Sequence, residues 1–215
     1  MWLDFKKVFS GSLVEIQLTF VAAPAVNLPL QQFLELRRKQ VSIMCSQKFQ
    51  MDSVDLEELL WSAVTFELLG CPLNKPLKLP QESLPESGQH GLFVQYNHSR
   101  ITGILKKFHN SIEQGLYPAL PPLSSCPPVP DPKIPAFQLP VLNSAEPPPN
   151  LCHKLHVWSR FFSAWYKSNR VLIAPQATSH SHFASMYAKI HQLKSIAASI
   201  ADALAALGLA PVQRM

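Results

Sequence analysis

The sequence predicts a mainly α-helical protein, a helical bundle preceded by a small mixed α/β segment. Three stretches after residue 92 carry apolar residues at steps of three and four, the spacing of one helix face. One stretch near the N-terminus instead alternates between apolar and polar residues, as a half-buried strand does. Three helices with one apolar side each cannot bury those sides alone, so we expect them to pack together.

Residues 1–87 form the predicted N-terminal segment. The alternation covers residues 12–20, "SLVEIQLTF", and predicts a strand. Residues 55–69, "DLEELLWSAVTFELL", predict a helix that Gly70 ends. Residues 71–91 are rich in Pro, Ser and Gly and predict a polar connection.

The first helix of the predicted bundle covers residues 93–108, "FVQYNHSRITGILKKF". Its apolar side contains Ile101, Ile104 and Phe108. A second side steps by four, three and four, and consists of Tyr96, Arg100, Gly103 and Lys107. This side is either exposed to water alone or carries a partner.

Twelve of the 20 prolines lie in residues 118–149, a density that excludes a helix or a central strand. We interpret residues 118–150 as an extended, polyproline-like insertion in a domain that covers residues 88–215. Residues 151–167 and 186–207 predict two further helices. Three aromatic residues of the first of these share one helix face and are predicted to be core: Trp158, Phe162 and Trp165.

Charge is unevenly spread along the chain. Residues 1–87 hold 8 Lys and Arg against 10 Asp and Glu, a net charge of −2, whereas residues 88–215 hold 11 against 4, a net charge of +7. A basic C-terminal part is typical of a protein that meets an anionic partner such as a nucleic acid. Charge by itself also serves solubility and indicates no particular site.

Metal and disulfide chemistry are not indicated by the sequence. No C-x-x-C pair and no Cys/His cluster at zinc spacing is present, and the four cysteines are far apart: Cys45, Cys71, Cys126 and Cys152. The N-terminus does not resemble a signal peptide, and the longest apolar run is too short to span a bilayer. We expect a cytoplasmic protein with no metal and no cofactor.

Four motifs carry a resemblance to a known domain. "FVQYNHSRITGILKKF" resembles the first helix of the DALR anticodon-binding domain of arginyl-tRNA synthetases, which reads as an aromatic followed by Q-Y-A-x-A-R-I-x-x-I-L. The matching residues are Phe93, Gln95, Tyr96, Arg100, Ile101, Ile104 and Leu105. "SAVTFELL", "LHVWSRFFSAWYKSNRVL" and the terminal "LGLAPVQRM" are similar to further motifs of that domain, in the same order. The resemblance covers about residues 60–215, with gaps at the proline-rich insertion, and departs from the family at His98 and Ser99, where small residues are usual.

The catalytic motifs of the synthetases, of the H-I-G-H and K-M-S-K-S types, are missing, and no Gly-rich phosphate loop is present. The segment "EQGLYP" is not a synthetase feature and is similar to the DALR anticodon-binding domain-containing protein 3 family. That resemblance implies a non-catalytic adaptor that recognises arginine tRNAs. It also implies a methyltransferase-like protein partner that forms 3-methylcytidine in the anticodon loop.

The predicted tRNA-binding residues are Tyr96, Arg100, Lys106, Lys107, Tyr166, Arg214 and Met215. Tyrosine rings stack on unpaired bases, and Lys and Arg hold phosphates. Gly103 would let the RNA backbone come close. The resemblance implies that Tyr166, Arg214 and Met215 lie near the same surface as the first helix.

Other interpretations of the same residues remain open. Tyr96 could be packing, Arg100 could bond an acidic residue or the C-terminal carboxylate, and Lys106 and Lys107 could be a solvated face near a helix end. Two alternative functions also remain. One is a protein scaffold that docks partners through the proline-rich segment. The other is a degenerate relic of arginyl-tRNA synthetase, an ATP-binding arginine-tRNA ligase.

Overall fold

A computed structural model describes residues 2–10, 13–21, 29–46, 53–70, 80, 82–126, 147–172 and 180–212, the first two ranges by their backbone only. The protein is mainly helical, as predicted. Its elements are β1 (Trp2–Ser10), β2 (Leu13–Val21), α1 (Leu30–Ser46), α2 (Ser53–Gly70), α3 (Glu86–Glu113), a short 3₁₀ turn (Leu123–Ser125), α4 (Pro148–Ser168) and α5 (His180–Ala206). Helix α3 packs against α2, α4 and α5 and is the centre of the fold.

Strands β1 and β2 pair as an antiparallel hairpin, with Trp2 opposite Val21 and Ser10 opposite Leu13. Strand β2 covers the stretch 12–20 whose alternation predicts a strand. The side chains of the hairpin lie outside the described part of the chain. A mixed α/β packing of the N-terminal segment therefore stays a prediction.

Helix α1 has no counterpart among the predicted elements. Its buried face includes polar residues, Arg37 and Gln40, which interrupt the apolar periodicity. Arg37 is fully buried and donates to both carboxylate oxygens of Glu67 in α2, at 2.8 and 2.6 Å. It also donates to the Gln40 Oε1 and to the Pro80 carbonyl oxygen. Burial raises the pKa of Glu67, and the pairing with Arg37 opposes that rise. Helices α1 and α2 are thus joined by a buried ion pair whose guanidinium donates four hydrogen bonds.

Helix α3 begins at Glu86, so the prediction of a polar connection over 71–91 is wrong for its last six residues. Glycine there serves helix packing, because a Cβ added at Gly91 would lie 2.5 Å from the Ser62 carbonyl oxygen of α2. A Cβ added at Gly88 would likewise lie 3.2 Å from the Ala63 carbonyl oxygen. The backbones of α2 and α3 can approach this closely only because both side chains are missing.

The predicted helices 151–167 and 186–207 are confirmed as α4 and α5. Helix α4 begins at Pro148, so the exclusion of a helix over 118–149 is wrong for its last two residues, where proline fits the first turn of a helix. Gly208, at φ +73°, ends α5 in the left-handed conformation that glycine favours. Trp158 and Phe162 are buried in the core, their rings stacked at 5.4 Å, and Trp165 borders it. The apolar sides of the three bundle helices meet in this core, which includes Val94, Ile101, Ile104, Phe108, Leu155, Ile190, Leu193, Ile200 and Leu204.

The C-terminal segment is fixed by the buried amide of Gln95. Its Nε2 donates to the Ser62 Oγ at 2.7 Å and to the Ala210 carbonyl oxygen at 2.9 Å. Its Oε1 accepts from the backbone N–H of Val212 at 2.9 Å. Val212 also packs into the apolar cluster shared by α1 and α2. One side chain therefore ties together α2, α3 and the segment that follows α5.

The "EQGLYP" segment brings the chain back along α5. Tyr117 is buried, with its ring 5.9 Å from that of Phe108 and 6.3 Å from that of Phe183. A His191 ring nitrogen lies 2.8 Å from the Pro121 carbonyl oxygen. The insertion predicted over 118–150 thus starts against the bundle, where the 3₁₀ turn is its only described helical feature before α4. Most of it, 127–146, lies outside the described residues.

The predicted boundary between residues 87 and 88 falls within α3 and stays a prediction. None of the described helices is both long enough and apolar enough to cross a membrane. A cytoplasmic location stays a prediction.

Two glycines of α3 provide a matched test of this packing. Gly91→Ala should lower the free energy of unfolding by about 1–3 kcal/mol, because the new Cβ meets the α2 backbone. Gly103→Ala should raise it by about 0.5–1 kcal/mol, because nothing lies within 4 Å of the added Cβ and alanine favours the helix. Urea denaturation of both variants measures the difference. Equal effects at the two positions would contradict the close approach of α2 and α3.

Candidate nucleic-acid interface

A cleft of about 550 Å³ lies between α3 and the C-terminal end of α4. The residues that line it are Tyr96, Ser99, Arg100, Gly103, Ile104, Lys107, Tyr166, Arg170, Val171 and Leu172. All four residues of the second side of α3 are among them. The structure therefore brings the predicted stripe together with the predicted Tyr166 in a single concave surface.

The periodicity of α3 explains why its four residues reach the cleft. They step by four, three and four residues, so they follow one side of the helix while the apolar side enters the core. Gly103 and Lys107 are exposed, and an added Cβ at Gly103 meets nothing within 4 Å. The middle of the cleft thus has a bare stretch of helix backbone.

Arg100 lies between two tyrosine rings. Its Cζ is 4.4 Å from the ring centre of Tyr96 and 5.3 Å from that of Tyr166, both within cation–π distance. Its Nη2 also donates a hydrogen bond to the Tyr96 hydroxyl. Arg100 therefore joins α3 to α4 through their aromatic rings, and this contact holds both tyrosines at the cleft wall.

Cations in and beside the cleft have no carboxylate partner among the described residues. The close contacts between basic and acidic side chains in that part of the chain involve Arg37, Arg38, His90 and His109, and none lies at the cleft. Lys107 and Arg170 are exposed at its edge. For Arg100, the alternative of an acidic partner finds no support among the described residues, and the C-terminal carboxylate lies outside them. The cleft is therefore a positively charged surface, suited to an anion.

The other predicted residues fall outside the lining. Lys106 is exposed on α3 beside the cleft. Arg214 and Met215 lie outside the described residues, and the chain is followed only as far as Val212. The roles of all seven predicted residues in binding stay predictions.

Arg170 was not predicted, although it lines the cleft. It lies beyond the last residue of α4, just before the Val171–Leu172 pair that forms part of the cleft floor. The available signal was its place in "WYKSNRVL", between the aromatic pair and the V-L pair. Helical periodicity could not have found it, because it lies outside the helix.

A row of aromatic rings continues from the cleft along the contact between α3 and α4. The ring of Phe93 lies 6.5 Å from that of Tyr96 and 6.2 Å from that of His156. His156 in turn stacks on His90, with ring centres 3.5 Å apart and planes at 28°. The two histidines come from different helices, so sequence spacing could not reveal the pair.

The surroundings of the stacked His90 and His156 rings disfavour their protonation. Burial lowers the pKa of His156 to about 4, and the nearby His90, Arg160 and His153 lower it further, while Glu86 raises it. Burial also lowers the pKa of His90, against the effect of Glu86. Both rings are therefore neutral at pH 7. The described residues contain no group of three or more His, Cys, Asp or Glu side chains placed to bind a metal.

We predict that Gln95→Leu lowers the free energy of unfolding by about 2–4 kcal/mol, because it leaves several buried polar groups without partners. Gln95→Glu keeps an acceptor for Val212 but places a buried carboxylate against the Ala210 carbonyl oxygen. Its effect should therefore be at least as large. Gln89→Ala, at an exposed glutamine of the same helix, is the control. Chemical denaturation gives the stability, and hydrogen exchange at Val212 reports release of the C-terminal segment. Unchanged exchange at Val212 would contradict the anchoring.

Acidification should destabilise the protein through the imidazole pair. Because the folded-state pKa of His156 lies below that of an unfolded chain, the unfolded state binds more protons and stability falls as the pH drops from 6.5 towards 4. His156→Phe should make this fall shallower, whereas His109→Phe, at an exposed histidine, should not. Thermal unfolding between pH 7.5 and 4.5 measures both slopes. The same slope for native chain and His156→Phe would contradict the assignment.

No protein-family model and no solved structure matches the chain. It is similar to DALR anticodon-binding domain-containing protein 3 of rat, at 25% identity over 89% of this chain and 40% of the rat protein. The protein of the same name from mouse is 26% identical over the same shares. That from Danio rerio is 30% identical over 47% of this chain and 20% of the fish protein.

The chain spans about two-fifths of the length of the rat and mouse relatives. Those relatives are named for a DALR anticodon-binding domain, not as synthetases. The comparisons confirm the resemblance that the motifs predict: over most of its length, the chain is similar to DALR anticodon-binding domain-containing protein 3.

Proposed function

We propose that this chain is a non-catalytic tRNA-binding adaptor that holds an anticodon loop in the cleft between α3 and α4. The observation that carries the proposal is the cleft itself. It combines two tyrosines, an arginine between them, a bare helix backbone at Gly103 and exposed cations at its edge. This set of groups matches what an unpaired RNA segment requires.

Each group in the cleft has a role in this proposal. Tyr96 and Tyr166 are half-buried at the cleft, so the exposed parts of their side chains can meet unpaired bases. Lys107 and Arg170 are exposed and can hold phosphates. Lys106, next to Lys107 on α3, would add a further phosphate contact. Arg214 and Met215 would approach the same surface, a role that rests on the family resemblance.

Arg100 has a double role in the proposal. Its contacts with both tyrosines make it a positioning residue for the cleft wall. Only one hydrogen bond from its guanidinium is found among the described residues, and an arginine carries five N–H donors. The remaining donors are available for a phosphate or a base edge.

The proposal also covers which RNA the chain binds and which reaction that binding supports. We propose that the chain recognises arginine tRNAs and supports 3-methylcytidine formation in their anticodon loop by a methyltransferase-like partner. The motif resemblance supports this, and the relatives' name supports an anticodon-binding role. The methyl transfer belongs to the partner. In the described residues no metal cluster competes with a binding role.

A second candidate function rests on the entry to the proline-rich insertion. Leu123 is 63% exposed and Leu116 is 47% exposed, in a stretch that also contains Pro118, Pro121 and Pro122. Exposed apolar residues next to a polyproline-like segment are suited to docking a protein partner. Such docking would depend little on salt, which distinguishes it from phosphate binding.

The direct test is tRNA binding at rising salt. We expect Arg100→Ala with Lys107→Ala to weaken binding about tenfold or more, and to reduce the slope of log K against log salt by about 1.4, the loss of two phosphate contacts on a single strand. Fluorescence anisotropy with an arginine tRNA between 50 and 300 mM salt measures both quantities. Lys189→Ala with Lys194→Ala removes the same charge from α5 and is the matched control.

Native affinity in the cleft variant would contradict the proposed face. An equal loss in the α5 control would mean that net charge alone attracts the RNA. No tRNA binding by the native chain, with or without a methyltransferase, would overturn the RNA hypothesis and leave the protein-docking function.

A further inference from the structure

Aromatic side chains line the contact between α3 and α4 beyond the cleft. A set of half-buried rings runs from the cleft towards the start of both helices, through Tyr96, Phe93, His156 and His90, each within 6.5 Å of the next. None of the four is buried, so each presents part of its ring to solvent. We call this row, together with the cleft, the α3–α4 seam.

Charge along the seam is mainly positive. Arg160 and His153 of α4 are exposed and act on the electrostatics of His156, as does Glu86 of α3. Glu86 is the carboxylate that faces the imidazole pair, 3.7 Å from the His90 ring, and its side chain is 91% exposed. Arg160 has no ion-pair partner among the described residues. A cation therefore accompanies the aromatic rings at this end, as Lys107 and Arg170 do at the other.

The seam is longer than one nucleotide. His90 and Lys107 are seventeen residues apart on one continuous helix, a separation of about 25 Å along its axis. A single base stacked in the cleft would leave the rings of Phe93, His156 and His90 uncovered. A single-stranded segment of several nucleotides could follow the whole row.

We propose that the α3–α4 seam is a continuous track for single-stranded RNA, with the cleft at one end and a second subsite formed by His90, Phe93, His156 and Arg160 at the other. The inference rests on the proposed function, because it takes RNA as the ligand of the cleft. The second subsite stacks a base on the ring row and holds a phosphate with Arg160. Neutral imidazoles suit stacking, and the cation comes from arginine.

The ring row favours RNA over an acidic peptide. The acidic residues of a peptide offer carboxylates to Arg160 but carry no aromatic ring for the row of four rings. Every nucleotide offers both a flat base and a phosphate. Stacking on aromatic rings tolerates any base, so this end of the track should add affinity with little sequence preference.

The test compares two unstructured RNAs, of about three and about nine nucleotides, by fluorescence anisotropy. The short RNA fills the cleft alone, whereas the long RNA also reaches the second subsite. His156→Ala with Arg160→Ala should weaken the long RNA about tenfold and leave the short RNA unchanged. Arg100→Ala should weaken both. Lys194→Ala, which removes an exposed cation from α5, should weaken neither.

Arg160→Ala alone keeps the test valid if the double variant fails to fold, because Arg160 is exposed. It should reduce the salt slope of the long RNA by about 0.7, one phosphate contact. If the second-subsite variants, at His156 and Arg160, bind the long RNA as tightly as the native chain while Arg100→Ala binds it more weakly, the track is overturned and the proposed function stands. If the second-subsite variants weaken both RNAs equally, the track is also overturned. Displacement of the long RNA by polyglutamate at equal concentration would assign the second subsite to acidic peptides and overturn the proposal.

Discussion

The fold depends on the buried amide of Gln95. Its hydrogen bonds to Ser62, Ala210 and Val212 close α2, α3 and the C-terminal segment around one another. The bonds require α2 and α3 to be close, which the missing side chain at Gly91 allows. With these contacts formed, the buried sides of α3 pack against α2 and into the core. The side of α3 that carries His90, Phe93 and Tyr96 faces α4 and solvent.

That division of α3 explains how a structural element also forms a candidate binding surface. Outside the apolar core, the contact with α4 is made by aromatic rings and by the guanidinium of Arg100, groups that can be shared with a ligand. Positive charge remains uncompensated there among the described residues, whereas the arginines of α1 are paired with glutamates. Arginines of α1 thus join two helices through glutamates, whereas the arginines of the seam remain available for an anion.

The sequence predicts helices α2 to α5 and misses α1. Helices α3 to α5 follow from apolar steps of three and four, and α2 from the signals at its ends. Helix α1 buries Arg37 and Gln40, and these polar residues interrupt the apolar pattern on which the prediction depends. The start of α3 was missed because Gly88 and Gly91 are typical of loops, although here they serve close packing. Five of the ten cleft residues could be predicted, because one helical stripe and one family motif contain them. Arg170 and the His90–His156 pair depend on how α4 lies against α3, which no local pattern encodes.

The central claim is that RNA occupies the side of α3 that faces α4. Ultraviolet crosslinking of an arginine tRNA to the native chain, followed by mass spectrometry of the crosslinked peptides, tests this without any substitution. The account predicts crosslinks in the peptides that contain Tyr96 and Tyr166, formed from nucleotides of the anticodon loop. Crosslinks confined to α1, α5 or the proline-rich insertion, or formed only from the acceptor arm, would contradict it.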